Sequence, residues 1–422
     1  MKKQAAEFLR RHGMHPDTIH MEDACRRFQE EMLQGLKGNP SSLMMIPADV
    51  SPEQQVPKNT AAVVLDAGGT NLRVGLCRFT ENGAKLEQVT VGPMPGTLSP
   101  LSAEEFLLEL ADLTEPLLKE AGHMGFCFSF PAEITPDLDG ILLGFNKEVV
   151  VHNSVGMHIC QALNETLKKR GCAELQYALI NDTVATLLGG YGATNPDAWD
   201  GYIGFILGTG TNCCYTEQVK NIEKLADAPG HTMVVNVEAG GYGCFPTGDY
   251  DKVMDARSNN PGDHLYEKMV SGGYFGEIAL ETLKGAIAEG LLTGTAPDTL
   301  EMKDICAYLE NPGDPTALSV FCGTAAEQEM LYALLDLLLE RAAKMVAVNL
   351  TAILVQGDMG RSAAKPACIV VEGSTFQKAA AYQEKIRYHM RKLATEEYGR
   401  YFRFRSFPDN NLKGAAVAAL LK

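Results

Sequence analysis

Two separated stretches of this chain are built alike, and that repetition limits what it can fold into. Residues 61–65 (AAVVL) form a short apolar run and 67–69 a turn; Leu72, Val74 and Leu76 then alternate with Arg73, Gly75 and Cys77 at strand period. Further along, residues 202–207 (YIGFIL) are apolar, 208–211 turn, and 212–217 continue as a strand. Each unit contains Gly-Thr-Asn, ending at Asn71 in the first and at Asn212 in the second. A shared tripeptide alone carries little weight. The same strand-turn-strand setting around both copies points to a duplicated fold.

Between the two units, helical and strand patterns alternate. Ser102 and Glu105 form a capping box ahead of Phe106, Leu110, Leu113 and Leu117 at helical spacing, with Pro116 a candidate kink and Gly122 the stop. The strand GFCFSF follows, then a helix on Ile159, Leu163 and Leu167 stopped at Gly171, and the strand YALI ending at Asn181-Asp182. Such alternation places the chain in the α/β class. Its 422 residues, at about 150 per domain, correspond to roughly 2.8 domains; the duplication lowers this to two, enlarged by helices. Residues 1–30 read as helical and polar, and GLKGNPSSL with Pro47, Pro52 and Pro57 reads as connector. After the second unit come the strand and glycine loop of TMVVNVEAGGYG and a long amphipathic helix bearing Leu331, Leu334, Leu338, Ala342, Val346, Leu350 and Ile353. Residues 367–371 form one more apolar strand, opening onto Glu372, and LKGAAVAALLK ends the chain as a short helix.

Charge and cysteine content narrow the function classes. Lys+Arg 37 against Asp+Glu 53 leaves −16, which opposes non-specific attraction to nucleic acid and to anionic membranes. Any anionic ligand must be held by backbone amides or a few placed cations. No apolar run approaches the roughly 20 residues of a membrane span, and MKKQAAEFLRRHG lacks the apolar segment of a signal peptide, so a cytoplasmic location is expected. The 11 cysteines are scattered without CxxC pairs, and they read as reduced core residues rather than as a disulfide framework or a metal site.

Two groups of residues could carry chemistry. Glycine-rich turns at Gly68-Gly69, at 208–211 and at Gly373-Ser374 each follow an apolar strand and each carry Thr or Ser. Glycine lets a phosphate reach the backbone, where amides and hydroxyls donate to it. None matches the P-loop or dinucleotide-binding pattern, and each alone reads as a plain hairpin. Together they point to a nucleotide held between two hairpins. The second group is Lys147, Asn181, Asp182, Asn212, Glu238 and Glu267, carboxylates and amides suited to a polyhydroxylated ligand whose hydroxyls both donate and accept. Taken singly, Asp182 reads as a helix cap before TVATLL ahead of a catalytic base, and Glu267 and Lys147 as surface charges.

The blocks LDAGGTNLRV, FSFP, LINDTVAT, ILGTGTNCCYTE, NVE, NPGDHLYEKMVSGGYFGE, RAAKM, VVEGSTF and LKGAA, in this order, resemble the hexokinase family of eukaryotic-type hexokinases and glucokinases over residues 60–280 and 340–420. The resemblance implies the actin-like, ribonuclease H-like fold: two related domains with mixed sheets flanked by helices, and a cleft between them. It divides the chain into a small domain of 57–180 plus 411–422 and a large domain of 1–56 plus 181–410. It further implies transfer of the γ-phosphoryl of Mg-ATP to the 6-hydroxyl of glucose or a related hexose. Asp182 then corresponds to the base, acting with Lys147. Ser129, Asn146, Lys147, Asn181, Asn212, Glu238 and Glu267 match sugar-contacting positions. Asp66, Gly68, Gly69, Thr70, Asn71 and Arg73 resemble the first phosphate loop, Gly208, Thr209, Gly210 and Thr211 the second, and Gly373, Ser374 and Thr375 the adenosine loop. Gly414 lies in the closing helix. Mg²⁺ would be carried by ATP with no direct protein ligand, and hexose and Mg-ATP, not nucleic acid or membrane, are the expected partners.

Two departures fall beside the sugar positions. The family's Trp-Thr-Lys-Gly is here Phe145-Asn146-Lys147-Glu148, and its Glu-Trp-Gly with an acidic pair is here Glu238-Ala239-Gly240 running on to Gly243-Cys244. Both bear on hexose choice. A sugar-binding regulatory protein with weak catalysis is the alternative, but it would be marked by a damaged base or phosphate loop, and both are intact. An ATPase of the actin or chaperone type is disfavoured by the sugar-site residues.

Overall fold

A computed structural model describes all residues except 53–54, 70, 82, 146–148, 226–229, 315–317 and 319–321. Its two large sheets follow one plan. The first comprises β1 (Thr60–Ala67), β2 (Asn71–Thr80), β3 (Gly83–Pro93), β4 (His123–Phe128) and β5 (Gln176–Ile180). Central β1 runs antiparallel to β2, which pairs antiparallel with β3; on its other side β1 runs parallel to β4, and β4 to β5. The second comprises β6 (Tyr202–Leu207), β7 (Thr211–Gln218), β8 (Thr232–Asn236), β9 (Ala367–Glu372) and β10 (Phe402–Arg405). Here β6 is central, antiparallel to β7 and then β8, and parallel to β9 and then β10; Ile46–Pro47 pairs along the free edge of β8. The strand order is the same in both, as the paired Gly-Thr-Asn units indicated. Both central strands are covered on both faces, which explains their unbroken apolar runs.

The labelled helices are α1 (Lys2–Arg11), α2 (Met21–Lys37), α3 (Ala103–Thr114), α4 (Ile159–Lys169), α5 (Asp182–Ala193), α6 (Asp249–Arg257), α7 (Leu265–Val270), α8 (Phe275–Ala288), α9 (Met302–Glu310), α10 (Ala325–Gln356), α11 (Ser374–Lys378), α12 (Ala380–Met390) and α13 (Asn410–Leu421). Helices α3 and α4 cover the outer face of the first sheet through Phe106, Leu110, Ile159 and Leu163, packed on Val63, Leu65 and Phe126. On the outer face of the second sheet, Ile203, Phe205 and Ile369 share a core with α10 and its neighbours α1, α2 and α12.

A third core lies between the sheets, and α5 and α13 form it. Helix α5 leaves the last strand of the first sheet and packs on the second; α13 leaves the last strand of the second and packs on the first. The two helices touch backbone to backbone. A Cβ on Gly414 would collide with the carbonyl oxygen of Ala185, so no larger residue fits that crossing. Asn410 Nδ2 donates to Thr186 O at 2.7 Å, and Thr186 Oγ1 to Asn411 Oδ1 at 3.1 Å, tying the same contact.

Several sequence expectations need correction. The helix opened by the Ser102/Glu105 capping box ends at Thr114, not near Gly122, and Pro116 lies in the 3₁₀ turn Glu115–Leu117 that follows it. Proline lacks the N–H for the next α-helical bond and crowds the preceding turn, so it terminates this helix instead of kinking it. Leu113 is consequently at the exposed end of its face. The N-terminal segment is two helices separated at 12–20 and is not simply polar: Phe8, Leu9, Phe28 and Met32 are fully buried in the core around α10. The cysteines are all unpaired, and nine of the 11 are buried. No helix among the described residues is long and apolar enough to cross a membrane.

Candidate active site

The ends of β1, β4, β5, β6, β7 and β8 deliver most of the singled-out residues. At the end of β5, Asn181 caps α5, its Oδ1 accepting from Thr183 N at 2.8 Å. Asn181 therefore does the capping that the sequence offered to Asp182. Asp182 is the first residue of α5, where the helix dipole favours a carboxylate. Its Oδ2 accepts from Ser129 Oγ and its Oδ1 from Thr183 Oγ1, each at 3.2 Å. Burial pushes the Asp182 carboxyl above its ordinary range; the two hydroxyls and the Thr183 backbone N–H pull it back, and the charge of Asp66 adds to the rise.

A second cluster gathers at the end of β8. Glu238 sits in left-handed backbone geometry at φ 55°, ψ 48°, an arrangement that a non-glycine residue holds only when its surroundings enforce it. Its Oε1 accepts from Asn236 Nδ2 at 2.6 Å and from Asn212 Nδ2 at 3.2 Å. Burial lifts the Glu238 carboxyl, the Asn236 amide counters, and the charge of Asp182 pushes it up again. On α7, Glu267 is likewise lifted by burial and accepts from Thr211 N at 2.9 Å through Oε2. That carboxylate occupies the space where a Cβ on Gly210 would lie, so a side chain at 210 would displace it. Three carboxyls raised by burial, one of them lifted further by the charge of another, mark a functional site. Acceptors and amides in this density suit hydroxyl groups on a sugar.

The turns predicted to hold phosphates lie at the same ends of the two sheets. Asp66, 6% exposed at the end of β1, takes Arg73 Nη2 at 2.7 Å and Nε at 3.1 Å on Oδ2, while among the described residues its buried Oδ1 has no hydrogen-bond partner. Arg73 Nη1 reaches Asp409 Oδ1 at 3.0 Å, so this guanidinium joins the first hairpin to the segment ahead of α13. Glu372, at the end of β9, is lifted to about 7 by burial, with Arg73 opposing and Asp66 and Asp409 reinforcing the rise. A carboxyl that is partly neutral near pH 7 repels an incoming phosphate less than a full charge would. Gly68 N donates to Asn71 O at 3.2 Å, closing the first turn around Gly69, and Asn71 is exposed at its far side.

Two backbone bonds and one hydroxyl bond knit the second turn to two others. Gly208 O accepts from Gly272 N and from Thr375 Oγ1, each at 2.8 Å, and Thr209 O accepts from Gly273 N at 3.0 Å. Residues 208–211, 271–273 and 373–375 thus form one wall, with Gly373 at φ 108°. Beside it opens a cavity of about 550 Å³ lined by Thr209, Gly272, Gly273, Ser374, Thr375 and, from α9, Lys303 and Cys306. That size suits a nucleoside. Three of the residues singled out from the sequence, Thr70, Asn146 and Lys147, lie outside the described residues. Sequence reasoning missed Asn236, Gly272, Gly273, Lys303, Glu372 and Asp409 as site residues. Asn236 had a readable signal, standing two residues before Glu238 at a strand end, and Gly272-Gly273 another, as a glycine pair.

Hexokinase family models match residues 5–191 and 202–421. The chain belongs to the hexokinase family. The junction of the two matches falls between α5 and β6, where the second copy of the strand plan begins. Hexokinase-1 of Oryza sativa subsp. japonica is 30% identical over 429 aligned residues, covering 92% of this chain and 85% of the relative. Hexokinase-3 of Rattus norvegicus is 32% identical over 297 residues, 66% of this chain but 31% of the rat protein, so the chain spans about a third of that relative. A hexokinase from Schistosoma mansoni, solved in complex with glucose, superposes with a TM-score of 0.79 at 25% identity, covering 100% of this chain and 99% of that one. The shared sheet plan is that of the actin-like sugar kinases, and the hexokinase frame accounts for why carboxylates and glycine turns sit at neighbouring strand ends.

Proposed function

We propose that this protein is an ATP-dependent hexokinase that transfers the γ-phosphoryl of Mg-ATP to the 6-hydroxyl of glucose or a related hexose. The observation that carries this reading is Asp182: half-buried, freed from capping by Asn181, and bonded to hydroxyls of Ser129 and Thr183, with no cation on it among the described residues. Such a carboxylate can accept the proton of a substrate hydroxyl as the new P–O bond forms. Glu238 and Glu267 orient the sugar through its other hydroxyls, and Asn212 holds Glu238 in place. The Schistosoma relative's glucose supports a hexose as acceptor.

The nucleotide is assigned to the wall formed by 208–211, 271–273 and 373–375, its adenosine in the 550 Å³ cavity and its phosphates toward the hairpins at Gly68-Gly69 and 208–211. Mg²⁺ commonly keeps several waters and uses one or two carboxylates besides substrate phosphates. Asp66, a hard oxygen donor whose buried Oδ1 has no hydrogen-bond partner among the described residues, fits as an acceptor for such a hydrated ion. When bound, Mg²⁺ would neutralise charge on the transferring phosphates. Arg73, held on Asp66 Oδ2, places its guanidinium beside the same hairpin and is suited to the developing phosphoryl charge.

Water could take the phosphoryl in place of the sugar, so the site should be completed only when hexose closes the cleft. The proposed small domain, 57–180 plus 411–422, and large domain, 1–56 plus 181–410, would move about the α5–α13 crossing. The test is a coupled ADP-release assay with Mg-ATP and a panel of glucose, mannose, fructose, glucosamine and no sugar. Turnover is expected only with hexose. Silence across the panel would favour the sugar-binding reading, and rapid ADP release without sugar the ATPase reading.

A further inference from the structure

We infer that Asn236 is a positioning residue that, together with Asn212, fixes how Glu238 is presented to the sugar. The inference rests on the hexokinase reading of the site. Asn236 ends β8, where its backbone is paired with Cys214 of β7 on one side and with Ile46 on the other, so its Cα is anchored from both edges. Its side chain is buried, the residue being 6% exposed. Three side chains then lock one another's direction. Asn212 Oδ1 is committed to two backbone donors, Cys213 N at 2.7 Å and Ala239 N at 3.1 Å. The Asn212 NH₂ must therefore face the other way, toward Asn236 Oδ1 at 2.9 Å. With its oxygen taken, Asn236 can only offer its NH₂ to Glu238 Oε1, at 2.6 Å.

The consequence is a sorted carboxylate. Glu238 Oε1 is used by the two amides, and among the described residues Oε2 accepts no bond and is left for a substrate hydroxyl. The left-handed backbone at Glu238 is held in the same network, because Asn212 Oδ1 takes the N–H of the next residue, Ala239. The charged and titratable groups acting on Glu238 are Asp182 at the start of α5 and His264 ahead of α7. Against burial and Asp182, the bond from Asn236 is the largest influence keeping the carboxylate ionised. A protonated Glu238 would lose an acceptor that a sugar hydroxyl needs.

The test compares the wild type with Asn236→Asp and Asn236→Leu. Asn236→Asp keeps shape and the acceptor for Asn212 but replaces the donor with a second carboxylate; Asn236→Leu removes both bonds at similar volume. A hydrogen bond to a charged group corresponds to roughly tenfold or more in an equilibrium. Hexose kcat/KM should fall about tenfold or more, chiefly through hexose KM, with the KM for Mg-ATP within about twofold of wild type. Glu238 should bind its proton more tightly, moving the acid limb of hexose kcat/KM to higher pH, further in Asn236→Asp than in Asn236→Leu. Asn236→Ser, smaller and still a hydroxyl donor, carries the same test if the buried carboxylate prevents folding, with a smaller shift expected. Folded variants with unchanged hexose KM and unchanged pH profile, or a loss confined to kcat, would overturn the inference. Absence of hexose-dependent turnover in the wild type itself would instead overturn the hexokinase reading, and the inference with it.

Discussion

With Asp182 replaced by Asn, hexose-dependent phosphoryl transfer falls by about 10²- to 10⁴-fold, the usual contribution of a positioned general base, while hexose binding is largely kept. Asn preserves the size of the side chain and can still bond Ser129, but it cannot take a proton from the substrate hydroxyl. Steady-state kinetics with a direct sugar-binding titration check this, and near-normal turnover in the variant would refute the assignment. The wild type carries a pH signature of the same group. Because burial holds the Asp182 pKa above its ordinary value of 3.8, kcat/KM should decline as pH falls through that raised value. A carboxyl whose pKa is raised in the fold binds its proton more tightly there, so its contribution to stability is present at low pH and is lost as pH rises through the folded value. Asn has no such penalty at neutral pH. Thermal unfolding of Asp182→Asn is accordingly expected at or above the wild-type temperature.

The second large effect is on stability and lies outside the chemistry. Arg341 of α10 meets Asp251 of α6 in a bidentate pair, Nη2 to Oδ2 at 2.5 Å and Nη1 to Oδ1 at 3.1 Å, with side-chain exposures of 3% and 4%. Arg341 Nη2 also donates to Pro246 O at 2.9 Å, and Asp251 closes the start of α6 by accepting from Gly248 N at 2.7 Å. Replacing Arg341 by Met leaves a buried carboxylate without its cation, and loss of one partner of a buried pair typically destabilises by about 3–5 kcal/mol. Against a net stability of roughly 5–15 kcal/mol this is a large fraction. Denaturant unfolding should show a lower midpoint with a similar slope, and an unchanged midpoint would contradict the pair's structural weight. The double variant Asp251→Leu with Arg341→Met should recover part of the loss, since neither charge then remains buried.

What the sequence made legible, it did through periodicity. The hairpins of β1–β2 and β6–β7 were readable because a buried central strand is an unbroken apolar run and the strand after it alternates. The end of α3 was not, since Leu117 and Gly122 continued a plausible helix and only the proline's missing N–H broke it. The first 30 residues looked polar because an amphipathic helix averages its faces, and Phe8 and Phe28 reveal their burial only against α10. The choice between cap and base at Asp182 stayed open in the sequence because both Asn181 and Asp182 are good caps; geometry gives the cap to Asn181. Gly272, Gly273 and Lys303 were missed for another reason. Gly272 and Gly273 meet Gly208 and Thr209 across a large sequence separation through backbone N–H groups, which every residue but proline has and no side-chain pattern announces, and Lys303 joins them only by lining the same cavity.

The most direct test of the account follows the phosphoryl group itself. Purified protein is incubated with Mg-ATP and ¹³C-labelled hexose, and the products are read by ³¹P and ¹³C NMR in parallel with Asp182→Ala. The account predicts hexose 6-phosphate and ADP in equal amounts from the wild type, and bound but unreacted sugar with the variant. ADP with inorganic phosphate alone, phosphate on a different hydroxyl, or undiminished product from Asp182→Ala would contradict it.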